Sequence, residues 1–539
     1  MRIRRSRPRI KLNSVKPILP EDPRTVAEQS TTTPPAKLFG HIEENLSYFR
    51  SVFHHASDVV FREFRIADGR SAAIIYVDVL SDTKLIDSDI LSPLSEHEPS
   101  PHGPEHEGRL TLAQIQATFA HTSGAERVAT LEDAVTAITT DMNILLIVDC
   151  EDEALALTAG GGVGRGVEEP NTEAVIRGPR EGFNENLRTG IALIRRRIRS
   201  ADFKVETMKV GRYTKTNVGI CYIEGIVDNA LVEEVRTRIE RIDTDAIIDS
   251  GYIEENIEDS PYSPFPQIQN TERPDVVAAS LLEGRIAILT DGSPFALIVP
   301  TVFWSALQAS EDYYERYLIA NAIRFLRYAF LLINLYLPSL YVAVTTFHQE
   351  LLPEKALLSI AAAREVTPFP AVVEALIMEI TFEALREAGV RLPKTVGSTI
   401  SIVGALVIGQ AAVQAGIVSA PMVIVVSITG IGSFVIPRYN FAITLRMLRF
   451  PMILLAASLG LFGIVAGTIA IILHLSALRS FGVPYLSPVA PFIRKGMQDT
   501  FIRVPHWRMS SRIFSKANPQ RNTEATMPKN RTPAGKMQS

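Results

Sequence analysis

The stretch KTVGSTISIVGALVIGQAAVQAGIVSAPMVIVVSITGIGSFVIPR (394–438) carries no Asp, Glu, Lys, Arg or His between its first and last residues. As one helix, those roughly 43 inner residues would run about 64 Å, twice the ~30 Å hydrocarbon core of a bilayer. AGIVSAP (415–421) interrupts the run with a Gly and a Pro. The stretch therefore reads as two membrane helices joined by a tight, uncharged turn; no buried hairpin of a soluble enzyme needs an apolar run of this length. Two more charge-free segments flank it, Tyr328 to Phe347 and Phe450 to Leu473. Both reach the length a helix needs to cross lipid, and a backbone in lipid must satisfy its own hydrogen bonds. Four spans follow: 328–347, 396–416, 418–437 and 450–473.

The chain has 539 residues, too many for one domain, and its net charge of −4 hides strong segregation. Arg2, Arg4, Arg5, Arg7, Arg9, Lys11 and Lys16 crowd the first 17 residues without an acid. After Leu475, eleven Lys or Arg face only Asp499 and Glu524. Both ends lack apolar runs and are expected to be disordered. No apolar core follows the basic head, so a signal peptide is not expected, and the first ~290 residues are expected to stay in the cytoplasm. The basic tail suits a membrane surface or solvent better than nucleic acid, and no nucleic-acid partner is expected. Cys150 and Cys221 form no metal or CxxC pattern and are read as core filling.

The fold class expected is an α+β cytoplasmic N-terminal region of two small α/β subdomains, then a polytopic α-helical membrane domain and a disordered basic tail. The boundaries drawn are a tail (1–40), subdomain 1 (41–160), subdomain 2 (168–260), a linker with a re-entrant or interfacial segment (261–310), the transmembrane domain (311–480) and the C-terminal tail (481–539). In subdomain 1, SAAIIYVDV (71–79) and 144–148 read as strands and 131–139 as a helix. In subdomain 2, a helix over 184–199 precedes strands near 204–210 and 218–227. A helix over 230–242 with Asp228 as N-cap and a short strand over 246–248 complete a β-β-α-β order. The run Arg195, Arg196, Arg197, Arg199 is either a solvated helix face or a surface for head groups or a partner. Pro294 to Leu307 is apolar but short, which suits a re-entrant or interfacial segment with Trp304 at the interface.

Two patterns tempt and fail. GGGVGRG (160–166) lacks the Lys and Ser/Thr of a phosphate loop and opens no helix, so it reads as a connector. His97, His102 and His106 lie in a Pro-rich segment with no helix or strand to fix metal geometry. With no nucleophile–base pair either, no enzyme activity, cofactor or metal is expected.

Four stretches resemble the A subunit of spore germinant receptors, the GerA family. They are EEPNTEAVIRGPREGFNENLRTGIALIRRRI (168–198), TERPDVVAASLLEGRIAILTDGSPFALIVPTVF (271–303), LPSLYVAVTTFHQELLP (337–353) and PFPAVVEALIMEITFEALREAGVRLPKTVGSTISIVGALVIGQAAVQAGIVSAPMVIVVSITGI (368–431). The likeness spans roughly residues 40 to 495, with the glycine loop, the His-rich insertion and the long basic tail as departures. It implies a subunit of the spore inner membrane that acts with a transporter-like B subunit and a lipoprotein C subunit. It also implies a homo-oligomer, suspected to be a pentamer, that forms an ion path opened by nutrient binding at partner subunits. A non-conducting scaffold is the alternative. A secondary transporter is a further one, although the inverted repeats and broken helices it should show are not evident.

The residues that could carry conduction follow from charge and spacing. In the helix 371–390, Glu374, Glu379, Glu383 and Glu387 recur, three of them on one face, with Arg386 beside Glu383. Either the helix lies at the interface with its acids in water, or an oligomeric ring of Glu379 and Glu383 concentrates cations at a pore mouth. Asn334, Pro338, Tyr341 and Thr345 form a polar stripe on the first span and are its pore candidates. Pro338 frees the carbonyl of Asn334. Gly397, Ser401, Ala405 and Gly409 recur every four residues, and Gly463 and Gly467 form a GxxxG; these are helix-packing candidates. Basic residues near both chain ends favour an even number of crossings with both ends inside. Four crossings fit if 371–390 lies flat, and six fit if both it and 294–307 cross.

Overall fold

The computed structural model describes residues 36–96, 110–119, 125–140, 143–158, 168–170, 172–391, 409–494, 496–509, 511–512 and 514–515. Two units of like build form the N-terminal half. The first contains helix α1 (Ile42–Val52), strands β1 (Val59–Arg65) and β2 (Ser71–Val77), a helical run over 83–96, α2 (Leu112–Thr118), β3 (Ala125–Val128), α3 (Leu131–Thr139), β4 (Asn143–Val148) and β5 (Ala154–Thr158). The second contains α4 (Leu187–Arg195), β6 (Phe203–Val210), β7 (Thr216–Ile223), α5 (Asn229–Glu240), α6 (Ser250–Ile257), β8 (Gln269–Thr271), α7 (Pro274–Leu282), β9 (Ile286–Thr290) and β10 (Ala296–Val299). Their sheets run β1-β2-β4-β5-β3 and β6-β7-β9-β10-β8, every neighbouring pair antiparallel. The order of first, second, fourth, fifth and third strand is therefore the same in both units.

Burial on both faces explains the continuous apolar strands. In β2, Ala73, Ile75 and Val77 pack with α1 and α3, while Ala72, Ile74 and Tyr76 pack with Ile86, Ile90 and α2. In β7, Cys221 and Ile223 face α4 and α7, while Val218, Ile220 and Tyr222 face α5 and α6. Caps set the helix starts: Thr130 accepts from Asp133 N at 3.1 Å, Asn186 from Thr189 N at 3.1 Å and Asp228 from Ala230 N at 3.1 Å.

Arg195 locks the two units together. Its Nε and Nη2 each lie 2.8 Å from an oxygen of Asp58, and both side chains are buried. This corrects the reading of the whole Arg195–Arg199 run as a solvated face or docking surface, because a bidentate guanidinium meets its carboxylate inside the core. Cys221 is buried as expected, whereas Cys150 is exposed on a turn at φ +66°.

Three other expectations change. Residues 246–248 form no strand; β8, β9 and β10 complete the second sheet, so that unit extends beyond residue 260 to Val299. Pro294–Leu307 is not a re-entrant segment, because it supplies β10, buried between β9 and β8, and the 3-10 turn Phe303–Leu307. The segment is apolar because it is sheet core. The C-terminal tail expected as disordered from 481 is instead docked on the second unit as far as residue 515. Tyr485 donates to the Pro266 carbonyl at 2.7 Å, Phe481 N to Asp259 at 2.6 Å and Ser515 to the Ile226 carbonyl at 2.5 Å.

The helical part comprises α8 (Tyr317–Thr346), α9 (Glu354–Glu365), α10 (Ala371–Arg391), α11 (Ala420–Gly432), α12 (Tyr439–Leu459) and α13 (Leu461–Ala477). Of these, α8 and α12 are long and apolar enough to cross a membrane by length and composition; α13 and the run from Ala420 to Val435 are apolar but shorter. The end next to the second unit is the proximal end. There Asn321 donates to the Arg503 carbonyl at 3.0 Å, and Ser263 lies 2.8 Å from His474 Nε2. The distal end gathers Phe347, His348 and Gly460. Helices α8 and α12 run outward from the proximal end, and α10, α11 and α13 run back toward it.

The single span expected over 450–473 is two antiparallel helices, because Gly460 turns the chain at φ +61° where a Cβ would meet His348 at 2.7 Å. Gly463 and Gly467 then bring α13 onto α12. A Cβ on Gly463 would meet the Leu455 carbonyl oxygen at 2.1 Å, and one on Gly467 would meet Met452 Sδ at 2.5 Å. The Gly463→Val chain is therefore expected to lose this closed hairpin, and its thermal midpoint in lipid nanodiscs should fall by several degrees. An unchanged midpoint would show that the contact is not needed. Gly397, Ser401 and Ala405, like the glycine loop and the His-rich insertion, lie outside the described residues. Gly409 is described, with Val423 3.4 Å from where its Cβ would be.

Candidate functional site: paired charges inside the helical bundle

Helix α10 aims its carboxylates at neighbouring helices of the same chain. Because α10 and α12 run antiparallel, Glu379 and Glu383, four residues apart, meet Arg449 and Arg446, three apart. Glu379 Oε2 lies 2.6 Å from Arg449 Nη1, and both side chains are almost wholly buried, at 1% and 2% exposure. Arg446 Nη1 lies 3.1 Å from Glu383, and Arg386 lies 3.6 Å from the same carboxylate. Nearer the distal end, Glu374 accepts from the amide and hydroxyl of Ser419 at 2.9 and 2.6 Å, with Arg364 at 3.6 Å. Each acid of this ladder therefore has a partner inside the chain.

Pro338 completes one rung. A proline inside α8 removes the amide that would bond four residues back, leaving the Asn334 carbonyl available. Arg449 Nε donates to that carbonyl at 2.8 Å. One guanidinium thus ties α8, α10 and α12 together.

The sequence-selected residues fall as follows. Asn334, Pro338 and Thr345 are buried, and Tyr341 is half-buried beside the core of α10 and α11. Asn334, Glu379 and Glu383 belong to the ladder or border it. Thr345 donates to the carbonyl of Tyr341 at 2.8 Å and takes no part in it. Arg446, Arg449 and Ser419 complete the site and were not among the site residues expected from the sequence; RMLR (446–449) inside an apolar helix was the available signal. Gly430 and Gly432 were missed too. A Cβ on either would meet Phe382 at 2.4 Å or Phe330 at 2.6 Å.

A second network closes the proximal end. Asp312 lies 3.1 Å from Arg324 and 2.7 Å from Arg327, all three buried. Arg324 also reaches Asp499 at 3.0 Å, and Tyr313 donates to Asp499 at 2.5 Å. Burial pushes the Asp499 carboxyl above its ordinary range, against the pull of Arg324. Burial likewise holds the Tyr313 phenol well above its own, with Asp499 adding to it. Trp304, Tyr328 and Phe501 stack beside this network, at centroid distances of 4.8 to 6.2 Å. Trp304 Nε1 donates to the Leu486 carbonyl at 3.0 Å.

Residues 47–514 match the family described as Bacillus/Clostridium GerA spore germination protein. The chain belongs to the GerA family. It is 50% identical to the protein named "Uncharacterized membrane protein YfkQ" of Bacillus subtilis (strain 168), over 91% of this chain and 94% of that one. It is 46% identical to "Spore germination protein KA" of the same organism, over 88% of this chain and 86% of that one. It also resembles the crystal structure of the N-terminal domain of the A subunit of the Bacillus megaterium spore germinant receptor GerK3. There the identity is 34%, over 50% of this chain and 99% of that one, with a TM-score of 0.40. The charged ladder and the proximal network of this GerA-family chain both lie within the matched range.

Proposed function

We propose that this chain is the A-type membrane subunit of a nutrient germinant receptor and that it turns nutrient binding at partner subunits into ion release that starts spore germination. The observation that carries the germination role is the near full-length likeness to spore germination protein KA. The partners are a transporter-like B subunit, a lipoprotein C subunit, further copies of the chain in a pentamer, and the lipid bilayer of the spore inner membrane.

A multi-pass arrangement is supported by the exposed apolar side chains of the bundle, among them Leu318, Phe325, Leu332, Phe462, Val465 and Ile469, which surround charges kept inside. The second unit and residues 479–515 bind each other, so they lie on one side and the crossings between them are even in number. Helices α8, α10, α11, α12 and α13 make five, and α10 and α11 point the same way. An even count is then six. The basic termini favour the cytoplasmic side for both.

Ion conduction is supported by polar atoms of Asn334, Ser339, Tyr341 and Glu379 that are buried in the bundle with no protein partner among the described residues. A non-conducting scaffold is the second reading. The pairing of Glu379 and Glu383 inside the chain favours it, because a ring of free acids is then not what the helices present. The test is conductance of the purified receptor in planar bilayers, with B and C subunits and nutrient. Thr345→Ala removes only a hydroxyl bonded to its own helix, so assembly is expected to persist while the current changes. Silence from an intact, nutrient-treated complex would place the pore in a partner.

A further inference from the structure

A cavity of about 540 Å³ lies where α7, the 3-10 turn Phe303–Leu307 and the docked C-terminal segment meet. That size is typical of a small-molecule site. Arg285 lines it and is only 8% exposed. Its Nη1 lies at 3.4 Å from the Gln269 side-chain oxygen, a weak contact, and its Nε has no partner. The guanidinium carbon sits 4.1 Å over the Phe514 ring. Among the described residues it forms no ion pair, unlike the buried Arg195, Arg324 and Arg449, each of which meets a carboxylate. The carboxylates that share the cavity wall are engaged elsewhere: Asp275 with Arg273 at 2.8 Å and Asp499 with Arg324 at 3.0 Å. Glu283, the third, is not free either. Burial lowers the Arg285 pKa to about 10, and Arg438 nearby adds to the fall.

A buried cation without a counter-charge is costly, and an anion placed beside it removes that cost. A guanidinium fork matches a carboxylate or phosphate in two parallel hydrogen bonds. The rest of the wall is mixed: Leu282, Val302, Trp304 and Met509 give it an apolar side, and Gln308, Gln498 and Thr500 are among its polar residues. We infer that this cavity is a binding site for an oxyanion, a carboxylate or a phosphate borne on a small apolar body, with Arg285 as its anchor. Because the wall combines the second unit, the C-terminal segment and Arg438 at the start of α12, a bound anion would fasten the soluble part to the bundle. The assignment does not depend on whether the chain conducts ions.

The test uses the full chain in phosphatidylcholine nanodiscs, titrated with benzoate and with inorganic phosphate and read by tryptophan fluorescence, since Trp304 lines the cavity. Saturable binding is expected, weakened about tenfold or more in Arg285→Met. Without anion, that variant should melt at or above the wild-type temperature, because an unpaired buried charge has been replaced by an apolar side chain. A parallel arm adds phosphatidylglycerol to the discs. An Arg285-dependent signal that arises only there assigns the oxyanion to a lipid headgroup; one with benzoate or phosphate alone assigns it to a soluble molecule. Should Arg285→Met not fold, Arg285→Lys keeps the charge without the fork and should bind several-fold more weakly. Absence of any Arg285-dependent saturation in both arms, or unchanged binding by the variant that folds, overturns the assignment.

Discussion

Replacing Arg449 with Met should destabilise the folded chain by about 3–5 kcal/mol, the usual effect of stripping a buried carboxylate of its partner. Glu379 would remain almost fully buried, with its 2.6 Å partner gone. The Asn334 carbonyl would lose its donor as well, so the joint between α8, α10 and α12 would be broken at both ends. The measurable outcome is a collapse in the yield of monodisperse protein from membranes and a large drop in thermal midpoint in nanodiscs. Glu379→Gln should be milder, since an amide oxygen can still accept from the guanidinium. The exchanged pair Glu379→Arg with Arg449→Glu should recover part of the loss, which a purely steric role for Arg449 does not predict. A single Arg449→Met chain as stable as wild type would remove the pair from the account.

The second large effect is expected at the proximal end. Asp312→Asn leaves Arg324 and Arg327 facing a neutral amide, with Asp499 the remaining acid near Arg324. Removal of one carboxylate from two buried guanidinium groups should again cost about 3–5 kcal/mol. Here the damage should spread to the C-terminal segment, because Asp499 is held by Arg324 and Tyr313. Limited trypsin digestion reads this directly. Cleavage at Arg503 and Arg508 should become faster in the variant while the N-terminal units stay intact. Equal cleavage rates in both chains would mean that the segment is held by Tyr485 and its neighbours alone.

The helical character of the C-terminal half was legible from hydropathy, because long charge-free runs mark apolar helices such as α8 and α12. Its charged residues were harder. Periodicity placed Glu379 and Glu383 on one face, yet nothing local says that RMLR, some 65 residues later, will lie opposite them. The free carbonyl of Asn334 was readable from Pro338, but its acceptance of Arg449 depends on tertiary packing. Gly460 escaped notice because a glycine inside an apolar run is common in membrane helices, and only its positive φ marks a turn. In the N-terminal half, strands such as 71–77 stood out by composition. Segment 294–307 was misread because a strand buried on both faces and an interfacial helix are equally apolar. The shared strand order of the two units lives in connectivity, which no local pattern encodes. Arg285 gave no signal at all, since a basic residue between a helix and a strand is ordinary until its surroundings are known.

The docked C-terminal segment has a consequence for how the chain is made. Phe265, Phe303 and Phe441 share one cluster with Tyr485, so the base of the second unit is completed by residues synthesised after the last helix. A nascent chain exposes its N-terminal units first, and domains fold as they emerge. Here the face around Phe265 and Phe303 stays uncovered until Tyr485 has been made. A chain that stops short of Tyr485 is expected to leave that cluster incomplete and apolar surface uncovered.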